Sequence, residues 1–450
     1  MCARHPSPTR TRHHARGWLG AGLLILAAAA QATPQIETWQ TGNGARVLFV
    51  AAPELPMVDV RVVFDAGSAR DGDKPGLASL TTAMLTQGAR DWDADAVALR
   101  MENVGAQISS STDRDLSQVS IRSLTEPKAL DTALETLTGV LADPTFTSDD
   151  LERLRHNTLV AIRQDEESPR TVAQKALYRA VFGTHPYASD PTGTEDSVRA
   201  LTREDLMAFH RRYFTGANAL VAIVGALERP AAEALAERVI GSLPAGERPL
   251  PLPEVTELTS GALERIDFPS TQTTVLAGQP GIRRGDPDYF ALYVGNHILG
   301  GSGMVSLLME EVREKRGLSY STYSYFLPMA QSGPFLLGLQ TRNDQADQAR
   351  EVMISTLQRF VTEGPSEKEL TAAKKNLTGG FPLRIASNSN ILGYLAVIGF
   401  YGLPLDYLDR FVERIESVSA EQIRDAFARR VHPDRLAIVS VGGEGAPQVS

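Results

Sequence analysis

Leu299 to Phe326 reads LGGSGMVSLLMEEVREKRGLSYSTYSYF. Gly300, Gly301 and Gly303 bend the chain ahead of a short helical pattern. Ser302 is placed to cap that helix, because its hydroxyl oxygen can accept an orphan amide proton. Val305, Leu308 and Val312 recur at helical spacing, with Glu310, Glu311 and Glu314 on the other faces. Arg313, Lys315 and Arg316 fall in the last turn, where cations complement the helix dipole. Gly317 suits the position just past a helix end, since it reaches the left-handed conformation without a Cβ clash. Ser319 to Phe326 is rich in Tyr, Ser and Thr and reads as a strand. A helix and strand joined in this way can direct Arg313 and Tyr320 to one place. Arg offers a planar fork of donors and Tyr a hydroxyl. Together they suit holding a carbonyl or stabilising an oxyanion. A solvated Arg beside a half-buried Tyr is the plainer reading of the spacing alone.

The chain has 450 residues, 42% hydrophobic and 22% charged, which is room for two domains with cores of their own. Its first 32 residues read as a secretory signal peptide: Arg4, Arg10, Arg12 and Arg16, an apolar run from Trp18 to Ala30, then the small-residue site Ala30-Gln31-Ala32. The run is short for a membrane-spanning helix, so no span is expected after cleavage, and the expected location is periplasmic or secreted. The single cysteine, Cys2, precedes the run, which leaves the mature chain without disulfides or thiolate ligands. Removing the four arginines from the 45 basic residues leaves 41 against 54 acidic, a net of about −13. With no basic stripe, that balance argues against nucleic acid.

Three landmarks repeat at nearly one offset. TSDDLERLRHNTL from Thr147 resembles PSEKELTAAKKNL from Pro365. Val181-Phe182-Gly183 matches Phe400-Tyr401-Gly402. EDLMAFHRRYFTGANALVAIVG from Glu204 resembles EQIRDAFARRVHPDRLAIVSVGG from Glu421. Such repetition marks a structural unit used more than once. In the first unit Arg46–Val50, Val58–Phe64 and Leu220–Val224 read as strands. Gly76–Met84, Ala94–Val104, Pro127–Leu141 and Ser148–Ile162 read as helices. The expected class is α+β: two homologous half-domains, each a mostly antiparallel sheet covered by helices on one face. The division is a signal peptide over 1–32, a first half-domain over 33–240, a Pro-rich linker over 241–258 and a second half-domain over 259–450.

The stretch LGG…LLMEEVREKRGLSYS resembles the C-terminal-half signature of the pitrilysin/insulinase-type (M16) metallopeptidases, the inverted zincins. HPYASDPTGTEDSV from His185 is similar to that family's His-Pro-Tyr…Gly-Thr-Glu segment. VFDAGSARDGDKPGLASLTTAMLTQGA is similar to the strand, Gly-Ser and Gly-Leu-Ala helix start around its zinc site. The resemblance covers about Ile36 to Gly443. It implies the clam-shell half of an inverted-zincin peptidase, with Arg313 and Tyr320 as the pair that reaches from the second half-domain into an active site. In active members a His-x-x-Glu-His helix binds zinc and its Glu polarises water. Here the resemblance puts Ser79, Thr82 and Ala83 at those positions, and Val160 or Ala161 at the third ligand, with Glu166 and Glu167 solvated beyond it. None is a good zinc ligand, so no cofactor is expected in this chain.

The other histidines of the mature chain, His156, His210, His297 and His432, are scattered, and His185 reads as a loop residue bonded to backbone. Gly300-Gly301-Ser302-Gly303 lacks the Lys-Ser/Thr of a phosphate loop. Ser79, Ser302 and Ser319 have no neighbouring His and Asp, and the sequon at Asn376 reads as an exposed helix turn. The resemblance therefore implies the non-catalytic subunit of an exported heterodimeric zinc metallopeptidase. It would act on unfolded or short peptides, with zinc held by a His-x-x-Glu-His homologue. A scaffold or peptide-binding protein of the same fold, with no role in proteolysis, is the alternative. A lone enzyme with unrecognised ligands is a third.

Overall fold

A computed structural model of the protein describes residues 34–443, and the signal segment expected over 1–32 lies outside them. Apolar runs bounded by turns become strands of two sheets. The first sheet holds β1 (Glu37–Gln40), β2 (Arg46–Ala51), β3 (Met57–Phe64), β4 (Gln107–Thr112), β5 (Ser117–Leu124) and β6 (Ala219–Gly225), in the order β1-β2-β6-β3-β5-β4. The second holds β7 (Ala262–Ile266), β8 (Gln272–Pro280), β9 (Ser321–Phe326), β10 (Pro334–Arg342) and β11 (Ala437–Val441), in the order β9-β10-β8-β11-β7. Each sheet is antiparallel except for one pair, β2 with β6 and β7 with β11. Read outward from that pair, β2-β6-β3-β5-β4 and β7-β11-β8-β10-β9 are one topology written twice, as the repeats require. Gly241 to Gly261 contains no helix or strand.

The strand period of two sorts each strand's side chains between two cores. On β2 and β6, Val47, Phe49, Val221 and Ile223 face the helices of their own half. Leu48, Val50, Leu220, Ala222 and Val224 face the other half. Burial on both faces is why β6 reads as an unbroken apolar run rather than an alternating one. Four of the helices that pack on the sheets or on one another are α1 (Leu77–Met84), α2 (Ser148–Glu166), α3 (Pro169–Phe182) and α4 (Asn388–Tyr401).

The expectation is a sheet covered by helices on one face. The second face is covered too, by a helix from the opposite half. From the second half, α4 lies across β6, β3 and β2 of the first sheet. From the first half, α3 lies across β8 and β11 of the second, packing Ala173, Leu177 and Val181 among Leu276, Leu336 and Val439. The approach of α4 is close: a Cβ at Gly399 would sit 2.6 Å from both terminal carbons of Leu220.

The decisive stretch departs from expectation in three details. Ser302 makes no capping bond. Ser306 does so instead, accepting from the Met309 amide at 3.4 Å. Val305 is 84% exposed and stands off the apolar stripe that buries Leu308 and Val312. Met309–Glu314 is a wide turn of π-helix, with the Lys315 amide bonded to the Glu310 carbonyl at 2.9 Å. Gly317 takes φ of 62°, as its place past the helix end requires.

Candidate functional site

The helix that resembles a zinc helix is built without ligands. Ahead of it Gly76 sits at φ 93°, and a Cβ there would come 2.9 Å from the Thr192 carbonyl, so glycine is needed to start α1. Asp71 takes over the capping, with one carboxylate oxygen on the Gly76 amide and the other on the Ala78 amide, each at 2.8 Å. Burial pushes the Asp71 carboxyl up to about 7, against those two amides, which favour its charged form.

Within α1, Ser79 donates to the Pro191 carbonyl at 2.7 Å. Buried Thr82 donates to Ser117 Oγ at 2.8 Å, and Ser117 in turn donates to the Ala66 carbonyl at 2.7 Å. Both hydroxyls are spent on the scaffold, and Ala83 has no ligand atom. On α2, which packs against α1, Val160 and Ala161 are exposed, as are Glu166 and Glu167. Among the described residues, no three His, Cys, Asp or Glu side chains converge to hold a metal ion. The residues present do not fit a zinc ion.

His185 is bonded to backbone. Its Nδ1 accepts from the Tyr187 amide at 3.1 Å, so the proton is on Nε2, which donates to the Pro253 carbonyl at 2.9 Å. Burial lowers its pKa, and the bond to Pro253 works the other way.

Arg313 and Tyr320 do meet. The guanidinium carbon lies 4.8 Å from the centre of the Tyr320 ring, a cation–π contact. Arg313 also points a nitrogen at the sulfur of Met304. Tyr320 is 82% exposed, and Met304 and Val305 beside it are exposed as well. Among the described residues Arg313 has no carboxylate partner, which leaves its remaining donors to solvent or to a ligand.

Two polar clusters were not singled out from the sequence. Glu311, grouped there with its neighbours, is only 6% exposed. Burial alone would raise its pKa, but hydrogen bonds from Arg359 (2.9 Å), Arg316 (2.6 Å) and Lys315 (3.0 Å) outweigh it and hold the carboxyl at about 2. That cluster fixes the back of the turn whose front carries Arg313. The second is Asp115, between the halves. It accepts from the hydroxyls of Tyr187 and Tyr401 (the latter at 2.9 Å) and from the Ala330 amide at 2.8 Å. Burial raises its pKa and these three donors oppose the rise. Tyr187 and Tyr401 each lie in or beside a segment the repeats had marked, but nothing in the spacing named their common partner.

Residues 46–195 match the model of the insulinase family, peptidase family M16, and residues 200–377 match that of the peptidase M16 inactive domain. A crystal structure of a peptidase M16 inactive domain from Pseudomonas fluorescens is 39% identical, covers 91% of this chain and 98% of that one, and superposes with a TM-score of 0.88. The chain belongs to peptidase family M16. Among its relatives, a non-peptidase homolog, YmxG, of Helicobacter pylori is 28% identical over 82% of this chain and 85% of its own. An uncharacterized zinc protease of Streptomyces coelicolor is 27% identical over 89% and 88%. The family's two-half fold is therefore present in full.

Proposed function

We propose that this M16 chain is the non-catalytic subunit of an exported heterodimeric zinc metallopeptidase, periplasmic or secreted, that cleaves unfolded or short peptides. One observation carries the reading. The hydroxyls at the zinc positions are absorbed into the scaffold, while Arg313 and Tyr320 stand together at the surface with free donors. A pair of donors on a rigid turn serves best at an active site supplied by another chain. In this reading a homologue with His-x-x-Glu-His brings the zinc and the general base. Arg313 and the Tyr320 hydroxyl hydrogen-bond the substrate carbonyl or the oxyanion that forms from it. In this reading the partner also covers the exposed Met304 and Val305.

The test is cleavage of a quenched fluorescent peptide library by the mature chain, alone and mixed with the same organism's His-x-x-Glu-His homologue, with and without a chelator. Activity confined to the mixture and abolished by the chelator supports the reading. Chelator-sensitive cleavage by this chain alone sinks it. A mixture no better than the homologue alone favours a scaffold with no role in proteolysis.

A further inference from the structure

Between the two halves lies a cavity of about 480 Å³, within the range of small-molecule sites. Four arginines from three separate segments line it: Arg46 at the start of β2, Arg248 in the connecting segment, and Arg283 and Arg284 after β8. One carboxylate, Asp65, reaches the wall, and both its oxygens are already taken by Arg70 at 2.8 and 2.7 Å. Among the described residues none of the four arginines has a carboxylate within ion-pairing distance. Arg248 uses its Nε on the Ala217 carbonyl at 2.9 Å, which leaves its outer nitrogens free. The Nε atoms of Arg46 and Arg284 are buried and have no hydrogen-bond partner. Arg284 also lies against the Tyr401 ring, 5.6 Å from its centre.

A chain with a formal net charge of −9 thus gathers, among its described residues, four guanidinium groups without a carboxylate partner around one opening. Gathering these charges is costly. Buried donors without acceptors forfeit their hydration, and like charges repel across a partly desolvated space. Burial lowers the Arg46 pKa, and the Arg248 charge lowers it further. Guanidinium forks match the paired oxygens of phosphate and carboxylate groups, and several forks around one opening match several such groups on one molecule.

We propose that this cavity binds a small polyvalent oxyanion, one carrying two or more phosphate or carboxylate groups. The site draws on both halves and on the connecting segment, so its ligand ties the three together. The proposal does not depend on a peptidase partner.

The test is calorimetric titration of the full mature chain with inorganic pyrophosphate, citrate and inorganic phosphate, against sodium chloride at matched ionic strength, with melting temperatures measured in parallel. A saturable 1:1 isotherm is expected for pyrophosphate or citrate, at least about tenfold tighter than for inorganic phosphate, together with a raised melting temperature. Preference for pyrophosphate assigns a phosphate-bearing ligand, and preference for citrate a polycarboxylate. Arg46→Gln and Arg284→Gln should each weaken binding about tenfold or more, while the melting temperature of the unliganded protein stays level or rises. Arg248→Gln, at an exposed position that cannot disturb the core, should weaken binding as well. Absence of saturable binding by all three anions would overturn the proposal, as would isotherms that Arg248→Gln and Arg46→Gln leave unchanged.

Discussion

The buried carboxylate of Asp115 gives the sharpest test of how the two halves are joined. Tyr401→Phe removes one of its three donors and leaves the ring in place. The lost bond is 2.9 Å long and ends on a buried charged group. Such bonds contribute about 1.5–3 kcal/mol. The Ala330 amide at 2.8 Å and the Tyr187 hydroxyl remain, so the carboxylate is not stranded and the lower half of that range, about 2 kcal/mol, is expected. For a chain of this size the unfolding entropy is large, and 2 kcal/mol moves Tm by only about 2–3 °C. Urea denaturation, followed by far-UV circular dichroism, is the better assay: the midpoint should fall while the slope holds. The control is the same change in an Asp115→Ala background. There the hydroxyl has no acceptor to lose, and the cost should drop below about 0.5 kcal/mol. A cost as large in that background as in the wild type, or a cost near zero in the wild type, would refute the assignment of Asp115 as the acceptor that joins the halves.

Further expectations follow from other positions. Tyr320→Phe should lower peptide turnover by the assembled pair on the order of 10²-fold without dissociating it, and unchanged turnover would remove the Tyr320 hydroxyl from the proposed chemistry. Glu311→Gln keeps the shape of the turn but leaves Arg359, Arg316 and Lys315 around a neutral group, so stability should fall by about 2–4 kcal/mol in chemical denaturation. Gly399→Ala places a methyl group against Leu220 and should cost about 1–3 kcal/mol, with Leu220→Ala recovering part of that loss in the double variant. His210 donates to the Leu141 carbonyl at 2.8 Å, and its pKa is lowered, chiefly by burial. Its folded pKa lies below its unfolded one, so the unfolded chain binds the extra proton and stability falls as pH drops through about 6.5. His210→Gln, which keeps a donor for Leu141, should flatten the loss of stability between about pH 7.5 and 5.5; an unchanged slope would show that His210 does not contribute to it.

The outline of the fold was legible because local signals agree with it. The strands over Arg46–Val50 and Val58–Phe64 and the helices from Pro127 and Ser148 appear within a few residues of where periodicity puts them. Repeated landmarks at one offset correspond to one sheet topology used twice. What sequence could not supply was the exchange of α3 and α4 between the halves. Both helices are apolar enough to be buried, but periodicity states only that a face is covered and not by which partner. The same limit applied to side chains. Arg313 and Tyr320 stood out because a turn brings neighbours in sequence together. Asp115 and Tyr401 are 286 residues apart, and their contact depends on packing alone. Glu311 was grouped with the solvated Glu310 and Glu314 because a wide π-helical turn, which rotates it inward, leaves no mark in an i, i+3, i+4 count.

The crossing of α3 and α4 between the sheets also constrains how the molecule can be made. During synthesis the first sheet gains its last strand with Gly225, yet its second apolar face stays bare until Asn388–Tyr401 has emerged. Until then Leu48, Leu220 and Val224 present a sticky surface, the kind of intermediate that holdase chaperones protect. Closing that face joins contacts far apart along the chain, so folding should be slow for its stability and should end in one concerted step rather than two. A chain cut in the connecting segment would leave two fragments, each missing the helix that seals its sheet. Neither should stay soluble alone, and the two should recover a native state only when refolded together.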